Sequence, residues 1–414
     1  MNSKKVDVLV IGAGVIGSSV AQALQAAGRK VTVIDRGAVG YGCSYGNAGW
    51  ITPCFAMPLP QPGMFFKSIS WLLDPESPLY IKPEASLLLG KWLWHFTKSM
   101  THKKMNRSIE VLAEISKESL KIYDQLSLTQ ANFGFDKKGL LMVSATSAGL
   151  AAAVQEMELM ANRGIEGKKL SAEEVIALEP SLKKNIKGGV YFTKEAHAEP
   201  LQVVQRIFKD FQNQGGIFEQ AEVYDFEFEG TKIKKVLTTQ GNYEADLIVL
   251  AMGTWSKTLA EKLKSNIPIL GGKGYSLIVE NFKAKPTHPI MIVEKKIAVT
   301  PRADSVRVAG TLELVDQDYS ITKRRVDAIL KGSKEFFDFP EEPKIRELWR
   351  GLRPCTPDGV PMIGFSKKWS NLFYCTGHQM LGLQSATGSA KLAKQLIFNE
   401  TTYTDPKPFT ADRF

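Results

Sequence analysis

Residues 6–35 constrain this chain more than any other stretch of it. Val6, Val8, Leu9, Val10 and Ile11 form a short apolar run, interrupted by Asp7, that ends on Gly12. Gly12-Ala13-Gly14-Val15-Ile16-Gly17 follows at once and opens a helix-like segment that Gly28 stops. Val31-Thr32-Val33-Ile34-Asp35 then reads as a second strand closing on an acid. Strand, glycine turn, helix and strand make a complete βαβ unit, with a dinucleotide fingerprint in its first turn.

Each residue of the fingerprint has a physical task. Gly12 makes the tight turn, Gly14 lets the backbone approach a pyrophosphate, and Gly17 lets helix and strand pack closely. Free N–H groups and the positive end of the helix dipole suit the phosphates. Asp35, followed by Arg36, offers a carboxylate to the two ribose hydroxyls of an adenosine and would repel a 2′-phosphate.

Composition excludes several classes. The 414 residues give room for two domains or two interleaved lobes, and 44% apolar with 23% charged residues is ordinary for a globular chain. Cys43, Cys54, Cys355 and Cys375 show neither CxxC spacing nor a secreted framework, and with five scattered histidines they assemble no metal site. Lys4-Lys5 before an apolar run looks superficially like a leader, but Asp7 and the glycines break it. No uncharged run is long enough to span a bilayer. A cytoplasmic protein is expected, with the cytoplasmic face of the inner membrane as the alternative place. The net charge of +10 comes with no helix-turn-helix or finger signature, so nucleic acid is not an expected partner.

Glycines recur at 37, 40, 42, 46 and 49 directly behind Asp35, which brings backbone close to a neighbour. Ser44, Asn47, Ala48 and Gly49 are the expected handles of this loop on the rest of a flavin dinucleotide. With the later Gly351-Leu352-Arg353-Pro354 and Pro357-Asp358-Gly359, the fingerprint and the loop resemble the D-amino-acid oxidase-type flavoproteins, and within them the bacterial D-amino-acid dehydrogenases. The resemblance runs through essentially the whole chain. It implies an α/β fold: a Rossmann-like FAD-binding lobe from discontinuous segments (1–55, 190–265 and 345–414) and an α+β substrate lobe with a mainly antiparallel sheet (56–189 and 266–344).

The resemblance also implies roles for single residues. The backbone of Val223 lies against adenine, the Ala251-Met252-Gly253 turn approaches the dinucleotide again, and Gly377, Met380, Gly382 and Leu383 face the flavin N1–C2=O edge at a helix start. Arg353 grips an amino-acid carboxylate through its planar fork, aimed inward by a proline-fixed loop. Tyr275 is placed to add its phenol to that clamp. Arg302 reads as solvated and His197 as structural. Related sarcosine oxidases attach flavin through a cysteine at a position that is Gly351 here, so non-covalent FAD is expected. Gln379 stands where the family usually has glycine, beside the substrate pocket, which narrows that pocket.

The expected reaction is dehydrogenation of a small D-amino acid, alanine-like or proline-like (D-hydroxyproline included), with electrons passed to a quinone or other respiratory acceptor. An oxygen-using glycine or sarcosine oxidase and a non-catalytic flavin-bearing membrane protein are the alternatives. Residues 56–104 combine Phe65-Phe66, Trp71-Leu72-Leu73 and a tryptophan-rich helix with Lys98, Lys103 and Lys104. That stretch fits either an anionic membrane surface or packing between lobes.

Overall fold

The computed structural model describes residues 3–63, 79–81, 87–129, 133–339 and 341–414. The βαβ unit forms as its sequence dictates: Ser3–Ile11, the helix Val15–Ala26 and Val31–Asp35. The two strands pair in parallel, and Ser3–Ile11 also pairs in parallel with Gly241–Leu250. Gly28 ends the helix with φ +91°, a conformation that favours glycine. Asp7, the polar break in the apolar run, is held by the Arg29 fork at 2.9 and 2.8 Å, which keeps its carboxyl below the usual range.

These strands belong to an eight-stranded sheet. Its order runs Val223–Glu229, Lys232–Thr238, Gly241–Leu250, Ser3–Ile11, Val31–Asp35 and Ile217–Gln220, with Leu372–Thr376 also on Gly241–Leu250. Helices Val15–Ala26, Pro200–Asn213 and Gly382–Ile397 contribute to the core against it, where Val8, Val10, Phe211, Val249 and Phe373 are buried.

A nine-stranded sheet forms the second layer system. From the edge inward it runs Ile345–Cys355, Leu270–Val279, Val306–Val315, Ile297–Pro301 and Ile290–Ile292, then Leu140–Ser144, Gly188–Phe192 and Lys168–Leu170. Its neighbours are antiparallel except Ile290–Ile292 on Leu140–Ser144 and Leu79–Ile81 on Val306–Val315. The expected α/β fold with a Rossmann-like lobe and a mainly antiparallel second sheet is what forms.

Two local expectations change. Residues 345–355, assigned above to the first lobe, are the edge strand of the second sheet, because they pair along the whole of Leu270–Val279. Arg353 therefore sits on a strand rather than a loop, and Pro354, which lacks an N–H, is tolerated there because the strand is an edge. The helix that follows Val306–Val315 begins at Lys323, since residues 316–322 are tied down by side chains described below.

In the aromatic segment, Phe65-Phe66 and Trp71-Leu72-Leu73 lie outside the described residues. The helix Leu87–Ser99 buries Trp92, whose indole donates to the Cys355 carbonyl at 3.0 Å, and Phe96 stacks on it. Trp94 is 55% exposed, with the Lys98 ammonium over its ring. Among the described residues no helix is long and apolar enough to cross a membrane.

Candidate active site

A cavity of about 1690 Å³ opens where the two sheets meet. One end is the fingerprint. Gly12 has φ +111°, and a side chain there would stand 2.7 Å from the Ala251 carbonyl oxygen. A side chain on Gly17 would stand 1.8 Å from the Gly12 carbonyl oxygen, so Gly17 is what lets helix meet turn. Asp35 accepts from the N–H of Ala13 at 2.7 Å and of Gly37 at 2.9 Å, tying both glycine loops to the second strand. Each carboxylate oxygen keeps a further lone pair for a ribose hydroxyl. The Ser44 hydroxyl accepts from the N–H of Val15 at 3.0 Å and so pins the helix start to the second glycine loop.

That loop is shaped by the second sheet. The buried Arg307 donates to the carbonyls of Tyr45 (3.0 Å) and Asn47 (2.9 Å), and Thr300 donates to that of Ala48 (2.8 Å). Gly46 is bare because the Trp349 indole fills the place of its side chain. Asn47 accepts from the Gly49 N–H at 2.8 Å and donates to the Met380 carbonyl at 3.3 Å, joining the loop to the C-terminal glycine segment. There the helix Gly382–Ile397 starts at the cavity wall, with Gly377, Met380, Gly382 and Leu383 on it.

Of the residues expected to meet the cofactor, Gly12, Gly14, Asp35, Arg36, Ser44, Asn47, Ala48, Val223, Gly253, Gly377, Met380, Gly382 and Leu383 share this one cavity. Gly17 and Gly49 do not reach it. Gly17 packs helix on strand, and the Gly49 carbonyl accepts from the Ala198 N–H at 2.7 Å. The bare backbone of Gly12 and Gly14 on the cavity wall, at the start of the helix Val15–Ala26, fits the phosphates of FAD without a side-chain clash.

Arg353 reaches the same cavity from the second sheet. Its guanidinium occupies the space a side chain on Gly274 would need, and Nη1 donates to the Thr311 carbonyl at 2.8 Å. Among the described residues no carboxylate pairs with it. Its neighbours are the thiols of Cys43 and Cys355, which burial pushes up to about 11 and about 12, so both are neutral. Burial lowers the pKa of Arg353 itself. An arginine stays protonated at neutral pH regardless.

Tyr275 does not join this clamp. It is fully buried in the second core, its hydroxyl donating to Glu313 at 2.9 Å and accepting from the Thr322 N–H at 3.0 Å. The alternation of a strand puts it on the face away from the cavity. Arg302 pairs with Glu199 at 2.9 Å, and His197 is buried in a two-strand pairing with Trp50–Ile51, its pKa pushed down to about 4 by burial.

Thr311, which sequence reasoning missed, and Gln379, which it singled out, complete the wall. Thr311 holds φ +60°, rare for a β-branched residue, at a bulge opposite Gly274, and that turn aims its carbonyl at Arg353. Gln379, singled out for standing in place of a glycine, holds φ +51° on the same wall, with its amide nitrogen buried and unpartnered among the described residues. Backbone strain of this kind gathers at functional sites.

A family model for FAD dependent oxidoreductases (DAO) matches residues 7–396. The chain belongs to that family. This oxidoreductase is 32% identical over 403 residues to a D-amino acid dehydrogenase of Neisseria meningitidis serogroup C, covering 95% of this chain and 96% of the relative. It is also 32% identical over 394 residues to a D-amino acid dehydrogenase of Helicobacter pylori, covering 95% of each. Among solved structures, L-proline dehydrogenase from P. horikoshii superposes with a TM-score of 0.80 at 18% identity, over 100% of this chain and 98% of that one. Glycine oxidase from Geobacillus kaustophilus does so with a TM-score of 0.80 at 19% identity over 100% of both. The cofactor of this oxidoreductase is FAD.

Proposed function

We propose that this oxidoreductase is a D-amino-acid dehydrogenase whose Arg353 binds the substrate carboxylate. The observation that carries the reading is the half-buried Arg353 guanidinium on the cavity wall with no carboxylate partner among the described residues. A charge in that position is stabilised by an anion brought from solution, and its fork matches a carboxylate. The name shared by the curated relatives supplies the chirality.

When bound, FAD supplies a two-electron acceptor for the Cα–H of the substrate as hydride. The chain's own residues bind and orient. Arg353 fixes the carboxylate, Thr311 fixes Arg353, and the neutral thiols beside it leave its charge uncompensated. With the amine bound neutral, hydride loss needs no protein base. His378, on the wall, is held neutral by burial at about 3 and bonds Ser389 at 3.0 Å. The imino acid then leaves and hydrolyses to a 2-oxo acid, or stays as a cyclic imine for a proline-like substrate. Tyr275 has no part in the clamp. D-alanine-like and D-proline or D-hydroxyproline-like substrates fit this reading, with a quinone or other respiratory acceptor taking the electrons.

The test is anaerobic mixing of the purified holoprotein with D-alanine, D-proline, cis-4-hydroxy-D-proline, their L-forms, glycine and sarcosine. Bleaching of the flavin band by D-forms alone supports the reading. Bleaching by glycine or sarcosine, with peroxide release in air, moves it to an amine oxidase. A band that no amino acid bleaches removes the enzyme reading.

A further inference from the structure

The segment between the strand Val306–Val315 and the helix Lys323–Lys334 belongs to the second sheet by sequence and touches the first lobe by structure. Asp316 accepts from the Lys257 ammonium at 2.9 Å and Gln317 donates to the Thr258 hydroxyl at 2.8 Å, both on the helix Ser256–Lys262 of the first lobe. Tyr319 lies parallel to Trp255, with ring centroids 6.2 Å apart and 12° between planes. The Arg36 guanidinium covers Trp255 at 4.8 Å from its centroid. Arg36, Trp255, Tyr319 and Arg350 all line the cavity, at the end that holds Asp35 and Val223.

The base of this strap is over-built for a surface loop. Lys273, 1% exposed, donates to Asp318 at 3.0 Å and to the Ser320 carbonyl at 3.1 Å, and stands 3.4 Å from the buried Glu313. Tyr275 holds the Thr322 N–H, and Arg350 holds the Tyr319 carbonyl at 2.6 Å. Buried ionic groups cost desolvation, and what they return is position. The residue so positioned is Tyr319. Its hydroxyl oxygen is buried and, among the described residues, lacks a hydrogen-bond partner of good geometry.

We infer that residues 316–322 are a strap across the adenosine-diphosphate half of FAD, with the Tyr319 hydroxyl donating to an oxygen of that half. Burial pushes the phenol up to about 12, so it stays a donor throughout the neutral range. The strap also explains Tyr275: its hydroxyl holds the Tyr319 segment in place and serves the cofactor indirectly.

The test is binding to apoprotein, with FAD followed by quenching of its fluorescence and ADP by calorimetry. Tyr319→Phe keeps the stacked ring and removes the donor. It should weaken FAD and ADP together, by about tenfold, the size expected for one hydrogen bond to a charged oxygen. FAD and ADP bound as by the unaltered protein would overturn the inference, and so would weakened FAD with unaltered ADP. Gln317→Ala, at an exposed position, cuts only the tie to Thr258 and should speed FAD release several-fold. Unchanged release would overturn the strap even if the Tyr319 variant does not fold. No amino acid enters either measurement, so the outcome is independent of the proposed substrate.

Discussion

Arg353 and the fingerprint glycines set the behaviour expected of single residues. Arg353→Ala should retain yellow flavin and lose carboxylate binding, raising KM by about ten- to a hundredfold, the range for a hydrogen bond to a charged group. Arg353→Lys keeps a charge without the planar fork and should recover only part of that loss. An unchanged KM in the alanine variant, read from steady-state rates at saturating acceptor, would remove Arg353 from the substrate site. Gly17 and Gly28 give a sharper contrast. Gly28→Ala meets nothing within 4 Å and faces only its φ of +91°, a cost of roughly 1–2 kcal/mol. Gly17→Ala puts a carbon 1.8 Å from a carbonyl oxygen that cannot retreat without opening the phosphate turn. That variant should fail to hold FAD in a fluorescence-quenching titration, while Gly28→Ala binds it normally.

At the scale of elements, short local signals carried the furthest. The capping box before Ala172–Leu178 forms as its sequence indicates, Ser171 accepting from the Glu174 N–H at 3.2 Å while Glu174 reaches back to the Ser171 N–H at 2.8 Å. Ser171→Ala should lower unfolding free energy by about 1 kcal/mol, seen as an earlier midpoint in urea. The βαβ unit was legible because every instruction lies within neighbouring turns of one chain. Arg353 was legible as a residue, though as a loop residue, since nothing local says that Ile345–Cys355 finds Leu270–Val279 as a partner. Tyr275 was misplaced for a related reason. Alternation fixes which residues share a face, but only the pairing of distant strands decides which face meets the cavity. Thr311 and Tyr319 left no signal at all. One owes its role to a bulge and the other to Lys273, Tyr275 and Arg350, whose side chains hold the segment around it.

For the whole molecule, buried acids and bases set the dependence of stability on pH. Glu195 is 2% exposed, accepts from the Cys54 N–H at 3.1 Å, and is pushed up from 4.5 to about 8 by burial. A carboxyl raised on folding contributes stability below its unfolded value and loses it as pH rises toward its folded one. The unaltered protein should therefore weaken between about pH 4.5 and 8 relative to Glu195→Gln, with the two alike in acid. Urea titrations across that range check it, and parallel curves would contradict it. Glu179, held down at about 2 by His288, Ser181 and Thr287 against the opposing effect of burial, acts in the opposite sense. Its contribution is present above the ordinary 4.5 and is lost as the medium is acidified toward about 2.

The order of strands in the first sheet bears on how the protein is made. Ser3–Ile11 is made before the other strands of this sheet named above, yet it lies between Val31–Asp35 and Gly241–Leu250, and the latter has Leu372–Thr376 on its other side. At roughly 5–20 residues per second, the nascent chain waits many seconds with its phosphate turn unsupported. The floor under that turn is laid by residues 241–251, and the wall facing it by 377–383, which are made later still. Vitamin capture is thus postponed until residues 377–383 have been made. A translation product halted before residue 372 should emerge colourless, whatever the supply of flavin.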